Sequence, residues 1–247
     1  MGLTDRSSGF FEHEGKCPVC DSTLGFRAHG LPLRNSFLCL NCSSSPRERA
    51  IIETINIFYP NWRDLTIHES SPGSMGSSKK LQAECRNYIA SQYDTSIPFG
   101  TSKNGYVSQD LENQTFEDES FDIVITQDVF EHIFRPDLAI KEICRTLRVG
   151  GAHICTVPMV MREAPSLRRA EKIGDDVRYI YPAEYHKNPI DETGSLVTVD
   201  WGFDIAGYFS CHGPLVTTIV HIDDLEKGIR AEINEVLVCR KLPIPNI

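Results

Sequence analysis

The stretch from Phe121 to Pro158, FDIVITQDVFEHIFRPDLAIKEICRTLRVGGAHICTVP, constrains the fold more than any other part of the chain. Its opening run Phe121-Asp122-Ile123-Val124-Ile125 is too short for a helix and rich in β-branched residues, which predicts a buried strand. Pro136 and Asp137 then open a helix with Ala139, Ile143 and Leu147 at helical spacing, and Gly150-Gly151 is expected to stop it. A second strand is expected from Ala152 to Val157. Strand, helix and strand make a βαβ unit, whose right-handed crossover leaves the two strands parallel neighbours with buried faces. Ligands of such sheets sit beyond the carboxyl ends of the strands, which puts Thr126 to Phe134 at a binding crevice.

A second constraint lies near the N-terminus. Cys17-Pro18-Val19-Cys20 and Cys39-Leu40-Asn41-Cys42 are two CxxC knuckles with eighteen residues between them. Each knuckle offers two thiolates to one ion, and two at this separation complete a tetrahedral four-sulfur zinc site with Cys17, Cys20, Cys39 and Cys42 as ligands. Phe26, Leu31, Leu33, Phe37 and Leu38 between them are too few for an independent core, which is why a metal is expected to hold the module. Redox exchange uses one pair at a helix start, not two pairs framing a hairpin. Four protein ligands leave no open position, so the expected role is structural. Ser45-Pro46-Arg47-Glu48 then reads as a capping box for a helix with Ile51, Ile55 and Phe58 on one face, closed by Pro60. Arg47 and Arg49 are placed to reach a substrate anion, but each alone reads first as a solvated helix charge.

At 247 residues and 40% hydrophobic content the chain can bury one α/β core plus a small module. A net charge of -9 argues against general affinity for nucleic acid, which requires a dense basic surface. Neither a charged-then-apolar leader nor an 18-residue apolar run is present, so neither secretion nor membrane spanning is expected. Nine cysteines without an export signal point to a reducing, cytoplasmic setting and no disulfide framework. Oligomeric state is not written in the sequence.

Further strands are expected at Leu65 to Glu69, Tyr88 to Tyr93, Leu215 to His221 and Val236 to Cys239, with Ser77-Ser78 capping a helix that carries Leu81 and Cys85. Between Val157 and Leu215 the chain lacks regular periodicity but carries Arg178, Tyr179, Tyr181, Tyr185, His186, Trp201 and Phe203. Disordered segments are poor in aromatics, so this composition predicts a lid over a pocket.

The "FDIV" strand, the Glu131-His132 pair, the "EICRTLRVGG" helix and turn, and the strand ending in Val157-Pro158 together resemble a class I S-adenosylmethionine-dependent methyltransferase of type 11, over about Leu65 to Val160. That resemblance implies a Rossmann-like α/β fold: a mostly parallel seven-stranded sheet with helices on both faces, here with a small zinc-ribbon-like module. The expected organisation is a flexible tail at 1–15, the zinc module and linking helix at 16–60, and the methyltransferase domain at 61–247 with its lid at 159–212.

It further implies a cofactor site from His68, Glu69, Ser70, Ser71, Gly73, Gln92, Asp110, Leu111, Gln127 and Asp128. Either His68 or Glu69 takes the acidic slot that the family has at the first strand end. The glycine-rich loop that follows in the family is degenerate here, with Gly73 and Gly76 remaining and Ser70, Ser71 and Ser74 offering hydroxyls. Gln92 stands where the family carries an acidic residue for the ribose, and Asp110-Leu111 where it meets the adenine. His186 and His132 are the candidate general bases, and Tyr185, Trp201 and Arg178 the candidate substrate contacts. The function implied is methyl transfer to a small-molecule acceptor, sugar or natural-product-like, with S-adenosylmethionine as cofactor and zinc as structural ion. Two alternatives stand beside it: an RNA methyltransferase gripping its substrate through a basic face of Arg27, Arg34, Arg47 and Arg49, and a non-catalytic zinc-containing binding protein, suggested by the broken loop.

Overall fold

The computed structural model describes residues 10–186 and 194–243. The cysteine module comes first. β1 (Phe11–His13), β2 (Phe26–Ala28) and β3 (Phe37–Cys39) form a three-stranded antiparallel sheet, with a single helical turn, α1 (Leu33–Ser36), leading into β3. The long helix α2 (Pro46–Phe58) starts as its sequence predicts, with Pro46 in the first turn and the Glu48 carboxylate accepting the Ser45 N–H at 2.8 Å.

The main sheet is built from β4 (Thr66–Ser70), β5 (Asn87–Gln92), β6 (Ser102–Lys103), β7 (Tyr106–Ser108), β8 (Phe121–Gln127) and β9 (Leu147–Thr156), with α3 (Gly76–Glu84) between β4 and β5 and α4 (Pro136–Thr146) between β8 and β9. The segment expected to form a lid follows, with short pieces β10 (Leu167–Arg168), β11 (Ala170–Ile173), β12 (Asp176–Tyr179), β13 (Tyr185–His186), β14 (Ser195–Leu196) and β15 (Val199–Asp200). They pair antiparallel as β10 with β15, β11 with β12 and β13 with β14. Strands of two to four residues carry no readable period, which is why the sequence shows none. Helix α5 (Ile205–His212) then leads to β16 (Leu215–Val220) and β17 (Val236–Lys241).

The sheet order is β16-β17-β9-β8-β4-β5-β7-β6. β4, β5, β7, β8 and β9 are mutually parallel, and β17 inserts antiparallel between β9 and β16. This is the Rossmann-like sheet expected, enlarged from seven strands to eight by β6, a two-residue edge piece too short to read.

Alternation along the central strands explains why both faces are covered. Ile123 and Ile125 of β8, Ile154 of β9 and Val238 of β17 pack on one side with Ile51, Ile55 and Leu81 of α2 and α3. Val124, Cys155 and Leu237 point to the other side, toward Ile140 and Ile143 of α4 and Phe209 of α5. Phe26, Phe37, Cys17 and Val19 of the cysteine module belong to the first of these cores, so the module borrows its apolar interior from the sheet domain.

Three local expectations are corrected. Gly150-Gly151 does not stop α4, which ends at Thr146 with β9 beginning at the next residue. The glycines serve a register shift between Phe121↔Leu147 and Ile123↔Ala152, where Gly150 takes φ +82 and a Cβ on Gly151 would meet the Asp122 carbonyl oxygen at 2.6 Å. Ser77 and Ser78 do not cap α3. They lie inside its first turn and send their hydroxyls to Gln127 and Glu69. Arg49 is no solvated charge: it is wholly buried and donates to the carbonyls of Ser44, Phe37 and Gly228 with its guanidinium 4.6 Å from the Phe26 ring centroid. One arginine therefore clips α2, the cysteine sheet and the β16–β17 connection together. Among the described residues no helix is long and apolar enough to cross a membrane.

Candidate active site

The carboxyl ends of β4 and β8 are tied by one buried carboxylate. Glu69 accepts from Ser78 Oγ and Gln127 Nε2, both at 2.7 Å through Oε1, and from Tyr88 Oη at 2.7 Å through Oε2. Ser78 Oγ in turn accepts the Gly73 N–H at 3.0 Å, and Ser77 Oγ donates to Gln127 Oε1 at 2.9 Å. Burial pushes the Glu69 carboxyl up, and the three donors oppose that shift. The network holds the turn after β4 in place without the usual glycines, with Ser71 in the left-handed region at φ +56.

Above it opens a cavity of about 980 Å³. Of the residues predicted to hold a cofactor, Ser70, Ser71, Gly73, Gln92, Asp110, Leu111, Gln127 and Asp128 all line it. Gln92 Oε1 is buried with no hydrogen-bond partner among the described residues, while its Nε2 lies 3.5 Å from the Pro72 carbonyl. Asp110 Oδ1 accepts the Glu112 N–H at 2.8 Å, an Asx turn that fixes the carboxylate at the rim.

Three cofactor expectations change. His68 does not reach the cavity: alternation along β4 turns it toward Phe116 and Phe121, where its Nε2 sits 2.8 Å from Ser91 Oγ. Glu69, the other choice for the strand-end slot, supports the loop from beneath. Asp128 borders the cavity with its carboxylate already engaged by Arg34 on both oxygens, by Arg47 and by Thr156 Oγ1, at 2.8 to 2.9 Å. Those guanidiniums hold its carboxyl below the usual range against the effect of burial.

The arginines come from the cysteine module, which contributes Arg34, Asn35, Arg47 and Glu48 to the cavity wall. The sequence pointed to Arg47 as a candidate anion contact and to Arg34 only as part of a basic face; that both close on Asp128 was not legible, because nothing local in α1 or α2 says which way the module docks.

At the other end of the cavity stand Glu131, His132 and His186. His132 Nδ1 donates to the Leu196 carbonyl at 2.9 Å, which leaves its Nε2 facing Glu131 Oε1 at 3.7 Å. His186 Nδ1 lies 3.8 Å from the same oxygen, and the two imidazole rings stand edge to face at 5.2 Å. Burial raises the Glu131 carboxyl above its ordinary range. Glu131 was legible as half of a motif pair, but its second neighbour, His186, comes from β13.

The three expected substrate contacts lie elsewhere. Trp201 is 2% exposed and packs on Tyr208 and Phe209, where an indole finds more apolar contact than a wet cavity offers. Arg178 sits opposite Glu171 in the β11–β12 pair and donates to it at 3.1 Å from Nε. Tyr185 precedes His186 on β13, so the strand period turns it outward and leaves it exposed.

The four knuckle thiols converge. Cys17 Sγ is 3.9 Å from Cys42 Sγ and Cys20 Sγ is 3.7 Å from Cys39 Sγ, with all four sulfurs within 4.8 Å of one another. Sulfurs placed about 2.3 Å from a central tetrahedral ion stand about 3.8 Å apart. Ser44 Oγ lies 3.2 Å from Cys42 Sγ, and the Asn41 N–H points at Cys39 Sγ at 3.4 Å.

Residues 77–155 match a family model described as a methyltransferase domain. No curated protein sequence matches the chain. Among solved structures, a chain in the complex between the Haloferax volcanii Trm112 methyltransferase activator and a putative methyltransferase superposes with a TM-score of 0.52 at 15% identity, covering 81% of this chain and 92% of that one. The Burkholderia thailandensis 1,6-didemethyltoxoflavin-N1-methyltransferase, solved with 1,6-didemethyltoxoflavin and S-adenosylhomocysteine, gives 0.50 at 11% identity, covering 80% and 79%. At these identities the likeness is one of fold.

Proposed function

We propose that this chain, a class I S-adenosylmethionine-dependent methyltransferase by its sheet and its matched domain, methylates a small-molecule acceptor, sugar or natural-product-like, by direct displacement. The observation that carries the proposal is the cavity of about 980 Å³ bordered by Ser70 to Gly73 on one side and Gln127 to Glu131 on the other, a volume that accommodates a nucleoside and a second small molecule together. The residues present fit the cofactor. Gln92 Oε1, buried and unpaired, supplies an acceptor for ribose hydroxyls, and the Asp110 carboxylate with Leu111 beside it supplies an edge for an adenine. When bound, the cofactor supplies an electrophilic methyl group on a sulfonium.

The chain's own part is to position and to handle protons. Glu69 and Ser78 hold the β4 turn open, and the Arg34–Asp128–Arg47 cluster braces the β8 end. An acceptor oxygen must lose its proton as the bond to carbon forms, and Glu131, His132 and His186 are the titratable groups beside which it would lie.

A small acceptor is favoured over RNA by the state of the arginines. Arg34 and Arg47 are spent on Asp128, Arg49 is wholly buried, and Arg27 pairs with Glu12 at 2.6 Å, so the basic face an RNA grip needs is absent among them. The thiol tetrad supports a structural Zn2+ held by Cys17, Cys20, Cys39 and Cys42, with no position left for a substrate.

Calorimetric titration with S-adenosylhomocysteine tests the reading. One site is expected, and Gln92→Leu should weaken it about tenfold, roughly the loss of one hydrogen bond to a buried unpaired acceptor. A chain that takes up neither S-adenosylhomocysteine nor S-adenosylmethionine would return the non-catalytic binding protein to first place.

A further inference from the structure

Glu131 presents an unsolved electrostatic problem. The residue is 1% exposed, and neither carboxylate oxygen has a hydrogen-bond partner among the described residues. A buried carboxylate left in that state is costly unless a proton or a cation joins it. His132 Nε2 lies 3.7 Å and His186 Nδ1 3.8 Å from Glu131 Oε1, and the three ligand atoms lie within 4.8 Å of one another. These separations are too long for direct hydrogen bonds. They lie within a few tenths of an ångström of the roughly 3.4 Å that separates nitrogen and oxygen ligands at about 2.1 Å from a shared tetrahedral ion.

The imidazoles are also prepared. The hydrogen bond from His132 Nδ1 to the Leu196 carbonyl fixes the tautomer that presents the Nε2 lone pair, the arrangement metal-ligating histidines use. His186 turns its other nitrogen, Nε2, toward the Glu184 carboxylate at 3.7 Å.

We infer that Glu131 Oε1, His132 Nε2 and His186 Nδ1 bind a first-row divalent cation at the acceptor end of the cavity, and that the acceptor is a molecule that ligates it through an ionisable oxygen. Two nitrogens and one carboxylate suit Zn2+, Mn2+, Fe2+, Co2+ or Ni2+ better than the oxygen-seeking Ca2+ and Mg2+. Unlike the four-thiolate site, three protein ligands leave coordination positions open, and they open onto the cavity. An acceptor hydroxyl held there loses its proton to solvent near neutral pH, so a separate base is not required. The O–C bond then forms as the S–C bond breaks, with that bond's electron pair staying on sulfur. The substrate part of this inference rests on the methyl-transfer reading; the cation site does not.

Cobalt separates the outcomes. The full chain with its thiolate site loaded with zinc is titrated with Co2+ and followed by visible absorption and calorimetry. One further equivalent is expected, with d–d bands and no sulfur-to-cobalt charge transfer. His186→Ala and Glu131→Gln should each weaken that equivalent at least tenfold while leaving S-adenosylhomocysteine binding within about threefold, His186→Ala serving as the variant least able to disturb the core. No further equivalent in a chain that binds S-adenosylhomocysteine, or unchanged cobalt binding in both variants, overturns the cation site. Cobalt bound as expected without any S-adenosylhomocysteine binding would leave the cation site standing and overturn the methyl-transfer reading.

Discussion

Burial of His68 between Phe116 and Phe121 strips water from an imidazole whose one hydrogen bond goes to Ser91, and this, with the positive potential of His153, brings its pKa down to about 3. The unfolded chain protonates the same group near 6.5. From that pH down to about 3 the unfolded state therefore binds a proton that the folded state refuses, and stability falls as pH falls by up to about 1.4 kcal/mol per unit for this group. Thermal melts between pH 7 and pH 4.5 should show a steeper acid loss in the wild-type chain than in His68→Gln; equal slopes would remove His68 from the account. Residue identity was legible along part of the cavity: Gln92, Asp110, Gln127 and His186 are among the predicted positions that line it. What failed was orientation. Tyr185 and His186 differ by one place in a strand whose faces alternate, and that place decides between solvent and cavity, while His68 and Glu69 are both buried, one against Phe116 and Phe121 and the other beneath the loop.

Helix starts and glycines carry the next level. The first helical residue of α3, Gly76, takes φ +61, and a Cβ there would overlap the Glu48 carboxylate that caps α2. Gly76→Ala combines a left-handed alanine, costing about 1–2 kcal/mol, with displacement of that cap, costing about 1 kcal/mol. A melting temperature lowered by several degrees and weakened S-adenosylhomocysteine binding are expected, since Glu48 also lines the cavity. A variant that melts and binds like the wild type would show that Glu48 moves aside freely. The capping box of α2 was readable because its partners lie three positions apart. The role of Gly76 was not, because the atom it makes room for belongs to another helix.

For the molecule as a whole, the cysteine module is bound to the sheet domain by Arg34 and Arg47 at Asp128 and by Arg49 at Gly228, and it walls one side of the cavity. With zinc held by the thiol tetrad as proposed, a chelator or Cys39→Ser should therefore loosen more than the first sixty residues. S-adenosylhomocysteine affinity should fall at least tenfold and return when zinc is restored to the wild-type chain, whereas affinity indifferent to metal content would make the module an appendage. The α/β class, the βαβ unit around α4 and the four clustered thiols could be read from the linear chain, because hydrophobic period and ligand spacing are set by residues close to one another in sequence. Tertiary structure alone decided that Asp128 is spent on two arginines, that Trp201 is core, and that His186 joins Glu131 and His132. Each of these turns on which surfaces of distant segments meet, and that choice is made by the packing of the whole core, which no local pattern encodes.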